Sequence, residues 1–178
     1  MRRFAVVVAV VSMGAAAVMA QKQEMPKPGP EHQRLGAFVG NWTFEGEIKP
    51  GPMGPGGKMT GTDRIEWAPG NFFVQRSYQG KSPMGEIQGL EIFAYDGAKK
   101  VYTFNAFDSL GMMGSGTMTV KNNTWTATGT STMGDATMHD RCALEFGAGG
   151  STLAIKCEMS TDGKTWNPTF EGKATKTK

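Results

Sequence analysis

Apolar and polar residues alternate at every second position through most of the chain beyond residue 40, in short runs broken by glycine- and proline-containing turns. The pattern sets in at Leu35–Ile48, LGAFVGNWTFEGEI. Leu35, Phe38 and Val39 recur at helical spacing, which predicts a short amphipathic helix over Glu31 to Val39, able to cover the mouth of a barrel. Gly40 is placed to end that helix, and a strand follows. Trp42, Phe44, Gly46 and Ile48 share one face of it, and Thr43, Glu45 and Glu47 share the other.

The alternation then repeats. Pro50 to Gly57, PGPMGPGG, cannot be regular structure and reads as a mobile lip or a loop folded over an opening. Met59 to Trp67 is a second strand with Met59, Gly61, Asp63, Ile65 and Trp67 on one face. A turn at Pro69-Gly70 leads to a third, with Phe72, Val74, Arg76 and Tyr78 on its apolar face. A tight turn there pairs Trp67 with Phe72, Ile65 with Val74, and Asp63 with Arg76. Asp96-Gly97 joins strands over Glu86–Tyr95 and Lys100–Phe107. Their apolar residues divide between both faces, Ile87, Phe93 and Tyr95 against Leu90 and Ile92, so periodicity assigns no inside.

Asn122-Asn123 places Val120 opposite Trp125 and Met118 opposite Ala127. Gly149-Gly150 joins a pair in which Leu144, Phe146, Leu153, Ile155 and Met159 share a face. Asp162-Gly163 turns the chain into a last strand over Trp166 to Ala174. About ten strands at this spacing, with no helix of ordinary length after Val39, predict an all-β fold: a single antiparallel barrel closed by its own sheet.

Composition narrows the setting. The 178 residues suit one domain. Residues 1–20 carry Arg2-Arg3, an apolar run from Phe4 and Val18-Met19-Ala20, the pattern of a signal peptide cleaved near Ala20. Residues 21–30, QKQEMPKPGP, read as an extended leader, and residues 31–178 as the barrel domain. The expected location is therefore periplasmic or secreted. No later apolar run is long enough for a membrane anchor. A formal charge of +3, lowered further by loss of Arg2 and Arg3, argues against a nucleic-acid partner. Lys173, Lys176 and Lys178 read as a frayed basic tail.

Chemistry is sparse. Asp63 and Arg76 fall on the apparent inner face, where they form either a buried ion pair that fixes register or, with Tyr78, an anchor for an anionic ligand. Trp42 and Trp67 point the same way, as candidate lining of a ligand cavity or, with Trp125, as filling for a closed core. Cys142 and Cys157 share the Gly149-Gly150 register, so they face each other as a disulfide or as two core thiols. His32 and His139 are the only histidines, and no H-x-x-x-H, C-x-x-C or paired-carboxylate spacing indicates a metal. Either histidine would be the ligand if the barrel held haem, a reading weighed against solvent-exposed polar positions. The methionines, scattered along the sequence, suit a flexible cavity lining better than a Cu(I) site. Ser109, Ser115 and Ser131 lack a G-x-S-x-G context. No catalytic residue or cofactor is expected, and enzyme activity has no support in the spacing.

Several longer runs carry a resemblance. MPKPGPEHQRLGAFVGNW, PGPMGPGGKMTGT, KSPMGE, AYDGAKKVYTF, FDSLGMM and EMSTDGKTW resemble bacterial proteins grouped as domain of unknown function 1579, over nearly all of Met25 to Lys173. The resemblance implies a lipocalin-like, calycin-type barrel and brings no activity. Gly40-Asn41-Trp42 is similar to the lipocalin G-x-W start, where the tryptophan plugs the closed end. Arg76-Ser77-Tyr78 is similar to the carboxylate clamp of fatty-acid-binding proteins. The expectation is a barrel that binds a small apolar, amphipathic or anionic ligand. The alternative is a structural or interaction protein with a filled core. The sequence does not fix the oligomeric state.

Overall fold

The computed structural model describes residues 25–51 and 54–177. The expected signal peptide and the first four residues of the leader lie outside the described residues. The chain opens with α1 (Pro30–Arg34) and a 3-10 turn (Leu35–Ala37). Ten strands follow: β1 (Gly40–Ile48), β2 (Gly57–Trp67), β3 (Phe73–Ser82), β4 (Gly85–Asp96), β5 (Val101–Asp108), β6 (Met113–Lys121), β7 (Thr124–Met133), β8 (Ala136–Phe146), β9 (Thr152–Ser160) and β10 (Asn167–Thr177).

Each strand pairs antiparallel with its neighbours in sequence, and β1 closes on β10 to complete the barrel. Closure leaves no unpaired edge. Because the strands meander, alternate loops gather at opposite ends. The helix and the β2–β3, β4–β5, β6–β7 and β8–β9 turns sit at one end; the other five loops surround the open end.

The helix is shorter than its pattern suggested. Pro30 occupies the first turn, and His32 Nδ1 accepts the Gly29 N–H at 3.1 Å, which caps the N-terminus. The chain then tightens into 3-10 geometry, where Gly36 leaves only contact distance to the Trp67 ring. Gly40, with φ 142°, starts the strand; the helix has already ended.

This short element drops Leu35 and Phe38 into the barrel. Phe38 stacks on Phe93, Trp125 and Phe146 at centroid distances of 5.3, 4.9 and 5.2 Å. Trp42 donates its indole N–H to the Phe38 carbonyl at 2.8 Å. With Ile65, Val74, Tyr102, Met118, Leu153 and Ala174 these residues form the buried core at the closed end. Each fully buried large apolar side chain contributes roughly 1.5–3 kcal/mol.

Above that plug, aromatic rings lie over glycines on neighbouring strands. Phe44 covers Gly61 and Gly80, Phe104 covers Gly116 and Gly129, Tyr78 covers Gly89, and Phe170 covers Gly46 and Gly172. A glycine in the pleat leaves a hole that the adjacent ring fills, and this accounts for inward-facing glycines in strands that alternation would otherwise make apolar.

Register differs from expectation in one hairpin. Trp67 pairs with Val74, Ile65 with Arg76 and Asp63 with Tyr78, a shift of two residues from the pairing a tight Pro69-Gly70 turn gives. The loop is wider because Gly70 and Asn71 both take positive φ, 87° and 59°, and Ala68 N–H donates to Phe73 O. The shift is even, so the inward face survives. Phe72 lies in the loop, where it stacks on His32. The Val120–Trp125, Met118–Ala127 and Cys142–Cys157 pairs stand as expected.

The C-terminal lysines form no frayed tail through residue 177. Lys173 and Lys176 belong to β10, where Lys173 Nζ meets Glu45 at 3.0 Å and Lys176 Nζ lies 4.8 Å from the Trp42 ring centre.

Candidate ligand site in the open half of the barrel

The pairing of β3 with β4 settles which face is inside. Val74 opposes Phe93, Arg76 opposes Glu91, and Tyr78 opposes Gly89, so Ile87, Phe93 and Tyr95 face inward and Leu90 and Ile92 outward. A third charge thereby joins the two read from the sequence. Arg76 Nε and Nη2 both donate to Asp63 Oδ1, at 3.0 and 2.8 Å, and Nη1 meets Glu91 Oε2 at 3.0 Å. The guanidinium also lies 4.7 Å from the Tyr78 ring centre.

Burial is the largest influence on Asp63 and raises its pKa, against the opposing pull of Arg76. The two carboxylates hold Arg76 firmly protonated despite its own desolvation. Burial, followed by the negative field of Glu91, likewise pushes the Tyr78 hydroxyl up. The sequence missed Glu91 because the face of β4 could not be read.

The other candidate residues fall elsewhere. Trp42 is buried in the closed-end plug, and Trp67 is half-buried against it. His32 serves as the helix cap and packs on Phe72 and Tyr95. His139 lies on the outer face of β8, near Gly163. Neither histidine enters the barrel. Cys142 and Cys157 form a disulfide between paired inward positions of β8 and β9. Among the described residues, no three of His, Cys, Asp and Glu gather as a metal site.

The two halves of the barrel differ in chemistry. The closed half is filled by rings. In the open half the inward positions include Met59, Met133, Met138 and Met159, with Met84 and Met112 in the surrounding loops. Asp108 Oδ2 is buried there without a hydrogen-bond partner, and the buried Ser131 hydroxyl is turned toward the Asp140 carboxyl. Asp108 Oδ1 is used, accepting the N–H groups of Leu110 and Met112 at 2.8 and 3.0 Å. Asp140, inward on β8, is pushed above its ordinary pKa by burial, with the Ser131 hydroxyl opposing. Two shallow grooves, about 420 and 520 Å³, lie on the outer wall: one beside Glu45, Glu47, Lys58 and Lys173, the other along Thr43, Thr62, Ser77 and Gln88.

A closed meander of ten antiparallel strands, plugged at one end by a short helix and aromatic rings, defines an all-β barrel of the lipocalin-like, calycin type. The chain belongs to the family described as protein of unknown function (DUF1579), whose model matches residues 27–176. No curated protein matches it. Among solved structures it is similar to Rv2717c from M. tuberculosis: 12% identical, TM-score 0.61, covering 84% of this chain and 99% of that one. At that identity the likeness shows the fold alone. A de novo designed fluorescence-activating β barrel also matches, at 14% identity and TM-score 0.44, over 80% of this chain and 96% of that one.

Proposed function

We propose that this is an exported binding protein that takes a small apolar or amphipathic ligand into the open half of its barrel. The observation that carries the reading is the contrast between the two halves. Rigid rings fill the closed half, while flexible thioethers and the unpaired buried Oδ2 of Asp108 line the open one. Methionine adapts its shape to apolar partners of varied outline, and a buried polar atom without a partner is costly unless something arrives to satisfy it.

Arg76 has no place as an anion anchor in this reading. Its donors are already directed at two carboxylates, and Asp63, Arg76 and Glu91 together carry a net negative charge. The triad instead fixes β2, β3 and β4 against one another, and Tyr78 covers Gly89 beside it. Export is supported by the first twenty residues and by the Cys142–Cys157 disulfide, which persists in oxidising compartments.

Native mass spectrometry of protein purified from its own source tests the binding claim. A co-purifying small molecule released on denaturation is the expected result. Ligand-free protein that also ignores apolar probes would leave only a filled-core structural role. N-terminal sequencing of the same material should begin at Gln21, and an intact Met1 would overturn the export claim.

A further inference from the structure

We propose that the outer wall of β4, β5 and β6 is the face on which two copies of this chain associate as a symmetric dimer. The outside of the barrel is divided by charge. Among the described residues, no outward side chain is charged over 73–79 of β3, 88–94 of β4, 101–107 of β5, 113–119 of β6 and 124–132 of β7. The other five strands all carry outward charge, laced by Arg64–Glu66 on β2 and by the Lys173–Glu45, Lys156–Glu171 and Arg141–Glu158 pairs.

The uncharged wall also carries an apolar ridge. Leu90 pairs with Phe107 and Phe107 with Met113, so three large outward side chains stand in register across β4, β5 and β6. They are 37, 48 and 55% exposed, and Leu110 in the adjoining loop is 43% exposed. Single apolar residues scattered over a surface mean little, whereas a contiguous row with a polar border marks a contact face. An aromatic ring and a thioether at the centre, with amides and hydroxyls around them and no charge, is the make-up of an interface core and its rim. Beside the ridge the outward side chains shorten. Asn105 pairs with Ser115 and Thr103 with Thr117, which leaves a low shelf toward the closed end.

Charge decides what covers such a wall. An anionic lipid surface recruits lysine and arginine, and a charged partner protein calls for charge of the opposite sign. This wall offers neither. In a two-fold dimer the same patch meets itself, so a charge near the axis would face its own copy and be repelled. A wall without charge is complementary to itself. A half-turn also lays the ridge of each copy over the shelf of the other, which makes the two contacts equivalent. Five strands about 4.8 Å apart and about seven residues long span roughly 24 by 23 Å. That is close to the roughly 600 Å² a side of the smaller specific interfaces.

The test is sedimentation equilibrium of the purified chain across the micromolar range, alone and as Phe107→Lys on the ridge, Thr103→Lys on the shelf and Thr62→Lys on the outer wall of β2. The parent should reach the mass of two copies as concentration rises. Each of the first two variants should raise the dissociation constant by about a hundredfold or more, because each buries an unpaired charge. Thr62→Lys should dimerise like the parent. The dimer should persist in about 1 M salt, where the Debye length falls to about 3 Å and exposed charge pairs are screened. A parent that stays monomeric throughout, a dimer that survives either wall variant, or one dispersed by salt or by Thr62→Lys would overturn the assignment. Thermal melting checks that every variant is folded. Should Phe107→Lys not fold, Met113→Lys, at the more exposed end of the same ridge, takes its place.

Discussion

Arg76 reaches Asp63 along a diagonal of the β2–β3 ladder, because its direct partner is Ile65 and that of Asp63 is Tyr78. The same guanidinium holds Glu91 on its other flank. Arg76→Leu should therefore strand two acids and destabilise by ~3 kcal/mol, the low end for breaking a buried pair, since Arg76 and Glu91 keep some solvent. Asp63→Leu with Arg76→Leu should recover only part of that loss. Adding Glu91→Gln should recover most of the remainder. Urea unfolding of the three variants measures it, and full recovery in the double variant would refute a three-membered cluster.

The ring-over-glycine layer predicts a difference between two glycines. A Cβ on Gly89 would overlap only the Tyr78 side chain among its nearest atoms, whereas one on Gly61 would overlap both the Phe44 ring and the Gln79 carbonyl oxygen. Gly89→Ala and Gly61→Ala should each destabilise by ~1–3 kcal/mol through overpacking. Tyr78→Leu should relieve the first, because a side chain can be replaced. Phe44→Leu should not relieve the second, because the backbone remains. Double-mutant cycles by denaturant unfolding read out both.

Asp140 predicts a pH dependence. Burial raises its pKa above the ordinary 3.8. The folded state thus favours the protonated acid, and the resulting stability is complete below that ordinary value and is lost as pH rises through the raised one. Asp140→Asn, which cannot ionise, should melt at a higher temperature than the parent at neutral pH. The gap should close as pH falls below about 4, where the parent carboxyl is neutral in both states. A gap that widens in acid would contradict the assignment.

The disulfide closes a loop of 15 residues. Replacing both Cys142 and Cys157 by Ser should cost ~3 kcal/mol on the chain-entropy model. Intact-mass analysis of untreated protein should find no alkylatable thiol, and two such thiols would refute the bridge.

How far the sequence could be read depended on local turn chemistry. Asn122-Asn123 and Gly149-Gly150 set the pairs Val120–Trp125 and Cys142–Cys157 without help from the rest of the chain. Pro69-Gly70 misled because the positive φ of Asn71 widens the loop, and asparagine does not announce that conformation as glycine does. The face of β4 was hidden because Leu90 faces outward while remaining apolar, and Glu91 faces inward while charged. The open-end chemistry was hidden for a topological reason. Met59, Met84, Met112, Met133, Met138 and Met159 look scattered in sequence, but a meander returns every second loop to the same end.

The pairing of Asn41 with Thr177 at the β1–β10 seam also dictates an order of assembly. Nine of the ten strand pairings join consecutive segments and can form as soon as each hairpin is complete, whereas this one spans nearly the whole chain and carries the largest loop-closure cost. Until β10 arrives, β1 and β9 both present bare hydrogen-bonding edges. A chain truncated before Asn167 would keep those edges permanently, and they would recruit strands from other copies. The last strand of the barrel in chain order is therefore also the one that covers both open edges.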